Sequence, residues 1–182
     1  VVTKPFTFEG AKRREVAENG YEQLKDKVDA IISIHNDRIL QIIDKQTSLV
    51  DAFRTVDEVL RQGIAGISDL ITTHGIVNAD FADVKSIMQD AGTALMGIGS
   101  ASGENRAGEA AKQAVNSPLL ELAIDGAKGV LFNITGGPSL SMFEIDEAAR
   151  VITQRADPEA KVKFGAVINE SLGAEIKITV IS

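Results

Sequence analysis

Between Ser48 and Gly75 the apolar residues Leu49, Phe53, Val56, Leu60, Ile64, Ile67 and Ile71 recur at spacings of three and four. That period persists for roughly six turns of α-helix. A helix of this length is a rigid connector, and the segments before and after it must be organised around it. Ser48 is its expected N-cap, with Asp51 three residues on, and Gly75 is its stop signal. Gly63 and Gly66 lie inside the helix, where each costs about 1 kcal/mol relative to Ala. Their presence predicts that another element approaches that face closely.

The two flanks differ in character. Val1 to Phe6 is a short β-type run ended by Pro5 and the turn-like Glu9-Gly10, and Ala11 to Val28 is a largely exposed helix rich in Lys, Glu and Arg. The continuous apolar run Ala30 to Ile34 reads as a buried parallel strand. Strand, helix, strand in that order predicts a βαβ crossover. Arg38 to Ile43 adds a short helical turn. Beyond Gly75 the reading is a helix over Phe81–Met88, one Gly-spaced strand over Thr93–Gly99, and helices over Arg106–Val115 and Phe143–Arg155. Strands are expected over Gly129–Ile134 and Lys161–Asn169, and a last one follows. In it Ile176, Ile178 and Val180 oppose Glu175, Lys177 and Thr179, which predicts a sheet with one wetter face. The fold class is α/β plus α+β, the latter a domain of about four strands with two covering helices. The natural boundary lies near Gly75.

Composition removes several functions. The formal net charge of −7 disfavours nucleic-acid binding through a basic face. No apolar run approaches the roughly 20 residues that span a bilayer. With no cysteine there are no disulfides or thiolate metal sites. His35 and His74 are isolated, so a metal centre built on them is not expected. No Gly-x-Ser-x-Gly elbow occurs. Gly97 to Gly103 lacks the Gly-Lys-Ser/Thr ending of a phosphate loop and reads as a strand with its turn. The opening Val-Val-Thr-Lys-Pro-Phe reads as the middle of a strand, as in a fragment or processed product.

The chemistry-bearing residues concentrate in three places. The loop Asn78-Ala79-Asp80-Phe81-Ala82-Asp83 offers an amide and two carboxylates, with Asp80 and Asp83 on one side of a helix start. Spacing favours Asp80 as a cap and Asp83 as the closing member of a variant capping box. Orienting a water or a cation is the alternative, and it requires one carboxylate to remain free. Glu9 and Arg13 open the first helix, where a solvated face is the commoner reading. Asn36-Asp37 follows the second strand, where open α/β sheets put ligand loops, although turn formation explains the pair too. Asp57 on the long helix reads as simply exposed.

The segments Thr-Lys-Pro-Phe-Thr-Phe-Glu-Gly (3–10), Asn-Asp-Arg-Ile-Leu (36–40), Val-Leu-Arg-Gln-Gly-Ile-Ala-Gly-Ile-Ser-Asp-Leu-Ile (59–71), Asn-Ala-Asp-Phe-Ala-Asp-Val-Lys (78–85), Gly-Thr-Ala-Leu-Met-Gly-Ile-Gly (92–99) and Asn-Ile-Thr-Gly-Gly (133–137) are together similar to FtsZ, the tubulin-like cell-division GTPase family. The match is collinear over the whole chain. The resemblance implies a partial Rossmann-like nucleotide domain over residues 1–47, a central helix over 48–75 and a C-terminal domain over 76–182. It implies GTP/GDP as ligand with Mg²⁺, self-association into protofilaments, and a cytoplasmic place at the mid-cell division ring. Nucleic acid and direct membrane contact are not implied. The family's Gly-rich phosphate loop and its tail for division partners have no counterpart here, so the chain alone is expected to be inactive.

Residue by residue, Glu9 and Arg13 resemble ribose and nucleotide contacts, Asn36 and Asp57 resemble guanine contacts, and Phe53 resembles the aromatic beside the base. Asn78, Asp80 and Asp83 resemble the loop that enters the next subunit's nucleotide site and positions the attacking water. Gly63, Gly66, Asp69, Asn133, Val167 and Thr179 resemble the lining of an inhibitor-binding interdomain cleft. Three positions depart from the family: His35 and His74 replace common prolines, and Glu58 replaces a common Asn beside Asp57. The competing readings are a non-enzymatic fragment that caps filaments and an unrelated small-molecule-binding α/β protein.

Overall fold

A computed structural model describes residues 1–72, 75, 77, 80–119, 124 and 126–182. The opening crossover is β1 (Val2–Lys4), a turn of 3-10 helix (Thr7–Glu9), α1 (Ala11–Lys25) and β2 (Ala30–His35). β1 and β2 run parallel, with Val2 opposite Ser33. The polar α1 buries none of its residues. By contrast Ile31, Ile32 and Ile34 of β2 are buried, as a continuous apolar run in a parallel sheet requires. α2 (Asn36–Ile39) starts directly at the end of β2.

The long helix is α3 (Leu49–Thr72), and the Asp51 N–H donates to Ser48 Oγ at 3.1 Å, so Ser48 caps it. Its buried residues are Ala52, Val56, Val59, Gly63, Gly66 and Leu70. Of the stripe that marked the helix in the sequence, Leu49, Phe53, Ile64 and Ile71 are exposed. The two rows lie about one residue apart, a rotation of roughly 100°. Close approach explains the choice of face. A Cβ at Gly66 would sit 2.8 Å from Thr179 Cγ2, and one at Gly63 would sit 2.5 Å from Met96 Sδ.

α4 (Phe81–Met88) follows. The single strand expected over Thr93–Gly99 is in fact two, β3 (Gly92–Ala94) and β4 (Met96–Ser102). They belong to different sheets. β3 pairs in parallel with β2 and completes the order β1-β2-β3, while β4 is in the sheet β4-β7-β5-β6. The break falls at Leu95, whose backbone pairs with Ser182 in both directions, at 2.7 and 3.0 Å. A strand pattern does not report which sheet each half joins.

The second sheet is built from β4, β5 (Gly129–Gly136), β6 (Lys161–Ile168) and β7 (Glu175–Ile181), with α5 (Arg106–Val115) and α6 (Met142–Thr153) between them in sequence. β5 pairs in parallel with β6 and antiparallel with β7. The expected wetter face of β7 is confined to Glu175 and Lys177, because Thr179 is buried beneath Gly66 of α3. β7 is an inner strand touched by α5 and by α3, so both of its faces are occupied. One core joins α5 and α6 to the sheet through Ala110, Ala114, Ile134, Ile145, Ile152 and Ile178. The other runs from Phe6, Ile32 and Ile34 through Val56 and Leu70 of α3 to Leu131 and Ile181. The two sheets are thus packed through the long helix. Among the described residues no helix is long and apolar enough to cross a membrane.

Candidate functional site

At the start of α4 the two carboxylates form a reciprocal cap. The Asp83 N–H donates to Asp80 Oδ1 at 2.7 Å, and the Asp80 N–H donates to Asp83 Oδ2 at 3.4 Å. The other oxygen of Asp83 meets Lys163 Nζ at 2.6 Å. The hydrogen bond from Lys163 holds the Asp83 carboxyl below its usual range, helped by the Asp80 N–H, and the same pairing raises the Lys163 ammonium. Capping and a free oxygen therefore coexist: no described residue donates a hydrogen bond to Asp80 Oδ2. The preceding chain is fixed to β6, where Val77 and Ala166 exchange backbone hydrogen bonds of 3.4 and 3.0 Å. Gly75 passes so near that a Cβ there would collide with the Ala166 carbonyl. Asn78 and His74 lie outside the described residues. Lys163 was not singled out from the sequence. Its one signal was a charge inside the apolar run of β6, the mark of an edge strand.

A second group gathers beyond the carboxyl ends of β1 and β2. Glu9 Oε1 accepts the Phe6 N–H at 3.0 Å, and its Oε2 pairs with Arg13 Nε at 3.0 Å. Phe6 stacks on Phe8 with centroids 4.9 Å apart and meets Phe53 edge-on at 5.4 Å. Asn36 begins α2, is buried, and its Oδ1 has no hydrogen-bond partner. Asp37 ties the two loops together: one oxygen accepts the Thr7 N–H at 2.9 Å, the other accepts the Thr7 hydroxyl, and Arg14 donates to that hydroxyl at 2.9 Å. These bonds from Thr7 lower the Asp37 carboxyl. Asp57 is exposed one turn beyond Phe53 on α3. Glu58 turns to Arg61, which donates to it from Nε at 2.7 Å and Nη2 at 2.6 Å, and to Gln62 Nε2 at 2.6 Å. Those bonds bring the Glu58 carboxyl down to about 2. His35 sits at the end of β2, opposite Lys4.

The third group divides. Gly66, Asp69, Asn133 and Thr179 line one cleft of about 230 Å³ between α3 and the second sheet, together with Arg61 and Lys177. Asn133 is buried opposite Thr179, and its Oδ1 has no hydrogen-bond partner. Burial lowers the Lys177 ammonium. Gly63 faces Met96 instead, and Val167 lies against Gly75; neither lines that cleft.

Residues 92–182 match the sequence model of the C-terminal domain of the FtsZ family. Among solved structures, the chain is 39% identical to an empty FtsZ dimer from M. jannaschii, with a TM-score of 0.94, covering 99% of this chain and 52% of that one. A point-mutant FtsZ from M. jannaschii gives 40%, 0.95, 100% and 54% in the same terms. CetZ2 from Haloferax volcanii, solved as a GTPγS-bound protofilament, is 17% identical with a TM-score of 0.73, covering 100% of this chain and 53% of that one. The last likeness shows the fold alone. A parallel sheet, a long central helix and a four-stranded second sheet in this arrangement define the tubulin-like fold class. Within that class, the chain belongs to the FtsZ family. It spans about half the length of the FtsZ structures it matches.

Proposed function

We propose that this chain is the loop-bearing half of a GTP-hydrolysing, self-assembling cytoskeletal protein of cell division. Residues 1–47 would be the end of its nucleotide domain, 48–75 its central helix and 76–182 its second domain. The observation that carries the reading is the separation of the candidate groups. Glu9, Arg13, Asn36, Phe53 and Asp57 cluster around the N-terminal part of α3, and Asp80 and Asp83 follow its C-terminal end. From Phe53 to Thr72 the helix rises roughly 28 Å at 1.5 Å per residue. The two groups cannot serve one nucleotide within one molecule. Head-to-tail stacking joins the base-side group of one copy to the loop of the next, as filaments at the division ring require.

In that arrangement the loop carboxylates orient a water toward the γ-phosphorus. The water oxygen bonds to phosphorus, the bond to the GDP oxygen breaks, and GDP and phosphate leave. Positioning and electrostatics carry most of such a reaction. Among the described residues no group of three or more acidic or imidazole side chains could hold a metal. Mg²⁺ bound with the nucleotide would offset the charge of the phosphates, and Asp80 Oδ2, to which no described residue donates, is the loop carboxylate oxygen that could face it.

Asp83→Ala tests the reading in a full-length form, this chain preceded by the half its FtsZ relatives carry. GTP binding should persist while hydrolysis falls about a hundredfold or more. Loss of GTP binding would show that the loop acts on its own subunit's nucleotide. For residues 1–182 alone we expect no turnover, and measured hydrolysis by that chain would count against the division of labour.

A further inference from the structure

We propose that Lys163 is the positioning residue of the catalytic loop, clamping Asp83 to the edge strand β6 so that Asp80 Oδ2 is the oxygen presented outward. The inference rests on the proposed function of the loop and assigns a task within it.

β6 is at the end of the strand order β4-β7-β5-β6, and two described residues, one before and one after the start of α4, fasten to it. Upstream, Val77 exchanges backbone hydrogen bonds with Ala166; downstream, Asp83 Oδ1 meets Lys163 Nζ at 2.6 Å. The two strand anchors, Lys163 and Ala166, are three residues apart, roughly 10 Å of strand, while Val77 and Asp83 are six apart in sequence.

The clamp also decides which oxygen is available. Asp83 Oδ1 is taken by Lys163, Asp83 Oδ2 by the Asp80 N–H, and Asp80 Oδ1 by the Asp83 N–H. Of these four carboxylate oxygens, Asp80 Oδ2 is the one to which no described residue donates. Charge follows the same logic. Two carboxylates facing a polyphosphate repel it, and the Lys163 ammonium neutralises one of them at the point of contact. A rotamer change at Asp83 would free that carboxylate, break the cap and let the helix start move. Displacements of about 1 Å from productive geometry can cost a hundredfold in rate.

A lysine on a sheet edge also discourages strand addition from another chain, and the experiment separates that role. Lys163→Met, Lys163→Arg and Lys163→Glu are made in the full-length form and compared with Asp83→Ala. The clamp predicts that Lys163→Met lowers kcat for GTP about ten- to a hundredfold, with GTP affinity and melting temperature unchanged. Lys163→Arg should restore most of kcat, because a guanidinium reaches the same carboxylate. Lys163→Glu should be at least as slow as Lys163→Met, although a glutamate guards the edge equally well. Wild-type kcat in both Lys163→Met and Lys163→Glu, with Asp83→Ala inactive, overturns the clamp and leaves the function of the loop standing. Wild-type kcat in Asp83→Ala overturns that function itself. Equal losses in Lys163→Met and Lys163→Arg, or a fall in GTP affinity or melting temperature, also overturn the clamp.

Discussion

Among the described residues of the second domain, Arg106 carries the densest side-chain network. Its guanidinium meets Glu144 twice, at 2.6 and 3.2 Å, and donates to the Ala174 carbonyl at 2.7 Å and to the Ser139 hydroxyl at 3.0 Å. Glu144 in turn accepts the Ser141 N–H at 2.8 Å, closing the N-terminal cap of α6. One side chain thus fastens α5, the turn before α6 and the chain entering β7. A buried pair adds little over a well-packed apolar replacement, but removing one partner strands the other. Arg106→Met should therefore cost about 3 kcal/mol, the lower end for a broken buried pair because Glu144 keeps some access to water. The pH dependence has a definite sign. The hydrogen bond from Arg106 depresses the Glu144 carboxyl below its ordinary 4.5. The stability it supplies is fully present above that ordinary value and is lost as pH falls through the depressed one. Denaturant titrations from pH 7 to pH 3 should show a shallower acid loss in Arg106→Met than in the parent.

The element that most needs its sequence is α3, and its two glycines answer to different neighbours. Replacing a helical Gly by Ala returns about 1 kcal/mol of helix propensity. At Gly63 the new methyl meets the end of Met96, an unbranched thioether that can shift. At Gly66 it meets Thr179 Cγ2 at 2.8 Å and Cβ at 3.2 Å, and a β-branched side chain on an inner strand has nowhere to turn. Gly63→Ala should be neutral within about 1 kcal/mol, while Gly66→Ala should destabilise by about 1–2 kcal/mol once overpacking outweighs propensity. Urea midpoints of the two variants would decide, and equal midpoints would show that the contacts are equivalent. The same helix shows what a linear pattern can carry. Periodicity located α3 and its cap at Ser48, and the internal glycines announced a close neighbour. The buried face was legible only in part: Val56, Val59 and Leu70 carry a hydrophobic signal, but Ala52, Gly63 and Gly66 bury by proximity and leave none. Likewise the alternation in β7 was readable, but its wet face was not: the helix that covers Thr179 comes from more than a hundred residues upstream. The cap at Asp80 and Asp83 was legible from spacing, and Lys163 was not, because only the tertiary fold brings β6 beside that loop.

At the scale of the whole molecule, the candidate groups lie on either side of a helix too long to bridge, and that separation has a strict consequence for mixtures. In an isologous pairing each surface meets itself; in a head-to-tail pairing the loop of one copy meets the opposite end of the next. Asn36→Ala removes a buried amide from the base-side group but leaves the loop intact. Asp83→Ala does the reverse. Each full-length variant alone should hydrolyse GTP poorly, the first for want of bound nucleotide and the second for want of a competent loop. Mixed in equal amounts and assembling at random, about one junction in four pairs an Asp83→Ala nucleotide site with an Asn36→Ala loop. Steady-state phosphate release by the mixture should therefore rise to about a quarter of the parent rate, well above the sum of the two alone. The gain should vanish on dilution below the assembly concentration, because the proposed site would exist only between copies. A mixture no faster than its separate components, under conditions where sedimentation shows that both variants co-assemble, would mean that each subunit hydrolyses its own nucleotide and that the loop serves only as the helix cap its spacing first suggested.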